Sequence, residues 1–168
     1  RQMCIRDSIV HLQGPDDVYN SVERARGYKD ALVKFNIPFD KDRMLKAGLT
    51  FKDGANAADM LIEKGVSFDA IFAFTDTLAI GAMNRLRDLG KKIPEEIAIA
   101  SFSGTVLSTI VYPQLTTVEP PLQQMGKVVA ELIIEKIKEP LSPNRSIVLD
   151  AEIKLRASSK KEKDSKGK

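Results

Sequence analysis

Residues 68–102, FDAIFAFTDTLAIGAMNRLRDLGKKIPEEIAIASF, constrain the fold more than any other stretch of the chain. The apolar run at 69–74 (DAIFAF) reads as a buried strand, and Asp76 follows at its carboxyl end. Residues 77–89 place Ala79, Ile80, Ala82, Met83 and Leu86 at a helical period, and Gly90 suits the left-handed residue that ends such a helix. A second apolar run, IAIASF, occupies 97–102. Strand, helix and strand in this order form a crossover unit, which belongs to a parallel sheet. A polar residue between strand and helix lies where open α/β sheets bind small ligands. Asp76 is therefore the first candidate site residue. Its simpler role is to cap the helix it opens.

The same rhythm fills the preceding residues. Residues 8–12 (SIVHL) read as a strand, and Asp16 or Asp17 is placed to cap a helix. In that helix Val18, Val22, Ala25, Leu32 and Phe35 predict the buried face, and Asn36-Ile37-Pro38 ends it. Residues 44–49 predict a second strand, followed by a helix through Lys64 that buries Ala57, Ala58, Leu61 and Ile62. Gly65 fits its left-handed cap. Four strand–helix alternations predict a three-layer α/β/α parallel sheet. Beyond Ser103 the pattern changes. A loop to 114, an extended segment at 115–118, a helix at 122–138 and a long strand at 146–155 are expected.

Composition narrows the function. The chain has 168 residues and a net charge of +3. Residues 158–168 hold five lysines against two acidic residues, so the body before them is neutral. A neutral body is a poor surface for the phosphate backbone of DNA, and the tail reads as a basic, solvated, disordered end. No run is long and apolar enough to span a membrane. Cys4 is the only cysteine and His11 the only histidine, which excludes an internal disulfide and leaves little for metal or histidine chemistry. No phosphate-binding glycine loop or nucleophile elbow is present. No cofactor and no metal are expected.

Four ordered motifs carry a family resemblance. They are Glu23-Arg24-Ala25-Arg26-Gly27-Tyr28 on the first long helix, Thr75-Asp76-Thr77-Leu78-Ala79-Ile80-Gly81 at the strand–helix turn, Gly90 to Ile97 (GKKIPEEI), and Leu115-Thr116-Thr117-Val118 with Gly126. Together they resemble the effector-binding domain of LacI/GalR-family transcriptional regulators, which has the periplasmic-binding-protein type I fold. The resemblance covers about residues 9–157. It implies that 9–115 form mainly the second lobe, that 116–140 return to the first lobe, and that 141–157 cross back. Residues 1–8 match nothing and read as a non-family extension.

The resemblance also implies roles. Arg24 takes the place of the ligand-binding arginine, its alternative being an exposed arginine in a charged cluster with Glu23 and Arg26. Asp76 and Ser103 are placed beside the ligand. Ser103 is a departure, because the family often has an acidic residue there, and a hydroxyl accepts less than a carboxylate. Thr50, Phe51 and Gln13 end strands facing the cleft, where Phe51 either stacks on a ligand or packs locally. His11 reads as a hydrogen-bonded core residue. Ile80, Met83 and Ile110 align with the homodimer interface or else belong to the core. The implied function is non-enzymatic: a cytoplasmic sensor binding a sugar-like effector, with operator DNA read by an N-terminal helix-turn-helix absent from this chain. A sugar-binding protein of a transport system is the alternative, and a nucleotide-dependent α/β enzyme a remote one.

Overall fold

The computed structural model describes residues 6–160. Strands β1 (Ile9–Gln13), β2 (Met44–Lys46), β3 (Ala70–Ala73), β4 (Ala98–Phe102) and β5 (Thr116–Glu119) are parallel. Strand β6 (Glu152–Lys154) joins β5 antiparallel, giving the order β2-β1-β3-β4-β5-β6. The helices are α1 (Tyr19–Lys34), α2 (Phe51–Glu63), α3 (Asp76–Asp88), the short α4 (Leu107–Ile110) and α5 (Leu122–Lys138). The parallel three-layer sheet is the fold expected. The chain runs from β1 outward to β2, then returns across β1 to β3. The order of strands therefore reverses between β1 and β3, and the carboxyl edge at such a reversal is where open α/β sheets take their ligands.

Val10, Leu12, Leu45, Ile71, Ala73 and Ile99 fill the sheet's interior. They form near-continuous apolar runs because helices cover both faces of these strands. Helices α2 and α3 cross closely. A Cβ at Gly54 would collide with the Leu78 carbonyl, and one at Gly81 with the Phe51 carbonyl, so each helix needs a glycine where it meets the other. Ile80 and Met83 are 4% and 0% exposed in this packing. They are core residues, which corrects their assignment to a dimer surface. Ile110 is 69% exposed and remains available.

The buried face of α1 is rotated from the one expected. Ser21, Ala25, Tyr28 and Leu32 are buried, whereas Val22 and Phe35 are exposed. The apolar pattern misled because two of the inward positions are polar, and Tyr28 satisfies its hydroxyl by donating to the Ile9 carbonyl at 2.8 Å. The helix ends at Asn36, whose φ of 55° lets Ile37 N reach back to the Leu32 carbonyl at 2.9 Å.

The boundaries at both ends shift. Arg6 donates to the carbonyls of Asp69, Pro94 and Glu96, so the folded domain begins before residue 9. Residues 116–119 are a strand of this sheet rather than part of a first lobe. The strand expected at 146–155 is regular only at Glu152–Lys154. Ser158 is fully buried, where Ile99 N donates to its carbonyl at 2.8 Å and its hydroxyl donates to Ile99 O at 2.6 Å. The chain is thus ordered past the expected start of the tail at 158. Residues 161–168, which hold most of its lysines, lie outside the described residues. Helix α5 has no buried residue, and Leu122, Val129, Ile133 and Ile137 stay more than half exposed.

Candidate functional site

Three strands deliver side chains to the reversal point: β1 ends at Gln13, β3 leads into Phe74, and β4 ends at Phe102 with Ser103 beyond it. Arg24 comes from the second turn of α1, beside the buried stripe of that helix. Its guanidinium carbon lies 4.6 Å from the Phe74 ring centroid and 3.8 Å from that of Phe102. Nη1 donates to the Phe74 carbonyl at 2.6 Å. Two aromatic faces and one carbonyl hold the arginine in a single orientation, and cation–π attraction adds to the packing. Burial lowers the Arg24 pKa, and the negative charge of Asp76 opposes that shift. An arginine remains cationic under such a shift.

Asp76 is fully buried and is not the helix cap. Thr75 caps α3, its hydroxyl accepting from Leu78 N at 3.3 Å. Both oxygens of Asp76 are occupied. Oδ1 accepts from Ser101 Oγ and Thr117 Oγ1, each at 2.7 Å. Oδ2 accepts from Thr105 N at 2.6 Å and Thr105 Oγ1 at 2.8 Å. The N-terminus of α3 further favours a negative charge at this position. Asp76 therefore supports the edge from below instead of presenting an acceptor to a ligand, which corrects the role expected of it.

Asp76 steadies the loop that carries Ser103. Three successive amides of that loop are bound: Ser103 N to Val118 O at 3.1 Å, Gly104 N to Thr117 Oγ1 at 3.2 Å, and Thr105 N to Asp76. Ser103 has a φ of 154°, which only glycine adopts freely, so the surrounding bonds hold a strained backbone in place. The Ser103 hydroxyl makes no hydrogen bond among the described residues and is partly exposed.

The other candidates are less central. Gln13 is 5% exposed and donates through Nε2 to Asp16 at 2.9 Å. The Thr50 hydroxyl serves a capping box with Asp53 at the start of α2. Phe51 is 47% exposed and opens the same helix. No hydrogen bond links Thr50 or Phe51 to the Arg24 cluster. His11 is fully buried between Tyr28 and Phe72, with ring centroids 5.2 Å and 5.1 Å away. Its Nδ1 lies 2.9 Å from the Phe72 carbonyl, while Nε2 has no partner among the described residues. Phe74, Phe102, Ser101, Thr105 and Thr117 were missed by sequence reasoning. The two phenylalanines were legible as aromatics at strand ends. A separate concavity of about 310 Å³, lined by Val129, Leu132, Ile133 and Arg145, lies along α5, where no group from the strand ends converges.

An open parallel sheet with polar side chains gathered where its strand order reverses defines a ligand-binding α/β domain. Residues 5–159 match the family described as periplasmic binding protein-like domain, and the chain belongs to it. Its relatives are LacI-type transcriptional regulators. It is 34% identical over 152 residues to the transcriptional repressor PurR of Vibrio atlanticus, covering 90% of this chain and 46% of that protein. It is 27% identical over 150 residues to the regulator CelR of Thermobifida fusca, covering 89% and 44%. Among solved structures, a CelR–cellobiose complex superposes with a TM-score of 0.87 at 26% identity, covering 92% of this chain and 47% of that one. A LacI-family regulator from Enterococcus faecium with bound ribose gives a TM-score of 0.82 at 26% identity, covering 92% and 57%. The chain spans about half the length of these relatives.

Proposed function

We propose that this chain is the effector-sensing part of a LacI-type transcriptional regulator. The observation that carries the reading is Arg24, fixed at the strand-order reversal with most of its N–H groups unused. A small molecule, a sugar or a relative of one, binds against Arg24 and Ser103, with Gln13 and Phe51 at the margin and Asp76 acting through Thr105. The relatives' bound cellobiose and ribose support an effector of carbohydrate size. The apolar stripe of α5 is the face that a first lobe covers, so the ligand bridges two lobes and favours their closed state. A homodimer, in contact through the exposed surface that includes Val106, Ile110 and Tyr112, passes that change to DNA-binding heads outside this chain. The protein works in the cytoplasm and catalyses no reaction. Control of this kind needs a coupling free energy on the order of 1–3 kcal/mol between effector and DNA.

The test is Arg24→Ala in the intact regulator. Effector response in a reporter strain is lost, while operator binding by the purified protein without effector is retained. A response of normal size in that variant refutes the assignment of the site.

A further inference from the structure

We infer that the part of the effector held by this lobe is an oxyanion, a carboxylate or phosphate on a molecule of sugar size, and not an uncharged polyol. This rests on reading the carboxyl edge around Arg24 as the effector site.

The acidic side chains near this edge are already engaged. Asp16 accepts from Gln13 and pairs with Lys46. Asp53 accepts from Leu49 N, Thr50 N and the Thr50 hydroxyl. Asp76 holds four donors and is closed to solvent. Glu119 pairs with Arg156 at 2.7 Å. Among the described residues of these loops only Asp17, exposed before α1, keeps a carboxylate without a partner. The donors stand in the opposite condition. Arg24 spends one N–H on Phe74 O, and the Ser103 hydroxyl is unspent.

A polyol brings a proton on every hydroxyl, and each proton that leaves water needs an acceptor. Beyond Asp17 and the Ser103 hydroxyl, which also accepts, the described side chains of this edge have few to give. An oxyanion brings acceptors only, and its paired oxygens match the planar fork of a guanidinium. The fork is also preset. Phe74 and Phe102 hold it from two sides, so a ligand need not order it.

Matched pairs test the inference: glucose, galactose and ribose against their phosphates, and glucose and galactose against their uronates. Inorganic phosphate alone serves as a further probe. Each is added to the intact protein and followed by thermal shift and calorimetry. At least one anionic member binds, while its neutral parent at equal concentration does not. Phosphates and uronates separate the two sources of charge. Ser103→Asp, a change at the partly exposed position after Phe102, weakens that binding about tenfold or more by like-charge repulsion. Arg24→Lys weakens it by removing the fork while keeping the charge, and Asp17→Asn leaves it unchanged.

Binding of the neutral parents as tightly as the anions overturns the inference, as does a panel in which no anion binds. An equal response to inorganic phosphate overturns it too, since the edge would then hold any anion. The site itself fails in a different way. Anion binding that ignores both Ser103→Asp and Arg24→Lys places the ligand elsewhere, whereas neutral-sugar binding lost in Arg24→Ala keeps the site and rejects only the oxyanion.

Discussion

Replacing Asp76 by alanine removes an acceptor that four buried or half-buried donors share. The donors differ in what they can do next. The Ser101 hydroxyl has a second acceptor in the Thr116 carbonyl at 3.4 Å. The Thr105 hydroxyl lies nearer the surface and can turn to water. Thr105 N and the Thr117 hydroxyl have no such route, and each stranded group costs about 1–3 kcal/mol. Adding the lost charge assistance gives about 3–5 kcal/mol for Asp76→Ala, the range seen when one partner of a buried charged pair is removed. Asparagine behaves differently. Its amide oxygen can face Thr105 N, while its amide nitrogen donates to the Ser101 and Thr117 hydroxyls, which reverse to accept. Asp76→Asn is therefore expected to cost about 1–2 kcal/mol, chiefly the charge-assisted part of the bonds. Urea unfolding of the intact protein and both variants, with an unchanged slope against denaturant, measures the two values. An alanine variant within 1 kcal/mol of the parent, judged against the ~1–3 kcal/mol of each stranded donor, would refute the network's importance. Equal losses for Asn and Ala would show that charge alone matters and that the geometry of the donors does not.

Two further predictions follow from packing and burial. Gly81→Ala drives a methyl group into the Phe51 carbonyl where α2 and α3 cross, and should cost about 1–3 kcal/mol; Gly27→Ala, on an open face of α1, should instead gain about 0.5–1 kcal/mol, and thermal melts of both decide the point. Burial pushes the His11 pKa down from 6.5 to about 4, the Phe72 carbonyl opposing the shift and the Arg24 charge adding to it. The unfolded chain then takes up a proton near pH 6.5 that the folded chain refuses until about pH 4, so this contribution to stability is full above that window and falls as the pH drops through it, by about 3 kcal/mol at pH 4. Unfolding free energies at several pH values measure the slope, and a slope left unchanged in His11→Phe refutes it.

The alternation of apolar runs and helical periods was enough to place the first four parallel strands and their helices, because both faces of such a sheet are buried and its strands carry a strong signal, whereas the fifth, Thr116–Glu119, read only as a brief extended segment. Helix α1 shows where that signal fails. Its inward face includes Ser21 and Tyr28, and Tyr28 turns inward because its hydroxyl meets the Ile9 carbonyl, which no period reveals. Ile80 and Met83 fit a core and a surface contact equally well in sequence; the two glycines that bring α2 against α3 decide for the core. Asp76 was legible as important but not in its role. The donors that close it off come from Ser101, Thr105 and Thr117, as many as 41 residues away. Arg24 was found through a motif, yet its distinguishing property, a guanidinium held between two rings, needs Phe102 to arrive from a different strand.

The network under the site also suggests how a small ligand can have a distant effect. Ser103 N is bonded to Val118 O, and Gly104 N to Thr117 Oγ1, so the loop that carries Ser103 is tied directly to β5. Asp76 ties the same loop and the same strand to the start of α3. Strand β5 leads through Pro120 and Pro121 into α5, the helix whose apolar stripe stays largely exposed among the described residues. On the proposed reading, a ligand that pulled on Ser103 would act on the segment that leaves the sheet, without passing through the hydrophobic core, and Arg24, held by Phe74 and Phe102, would be the fixed point against which it pulls. If this is the route, exchanging the Thr117 hydroxyl for a methyl group in Thr117→Val should leave effector affinity nearly intact while weakening its effect on operator release, because the hydroxyl joins loop and strand. Equal losses of affinity and response in Thr117→Val, measured by calorimetry and by operator binding with and without effector, would place the coupling elsewhere.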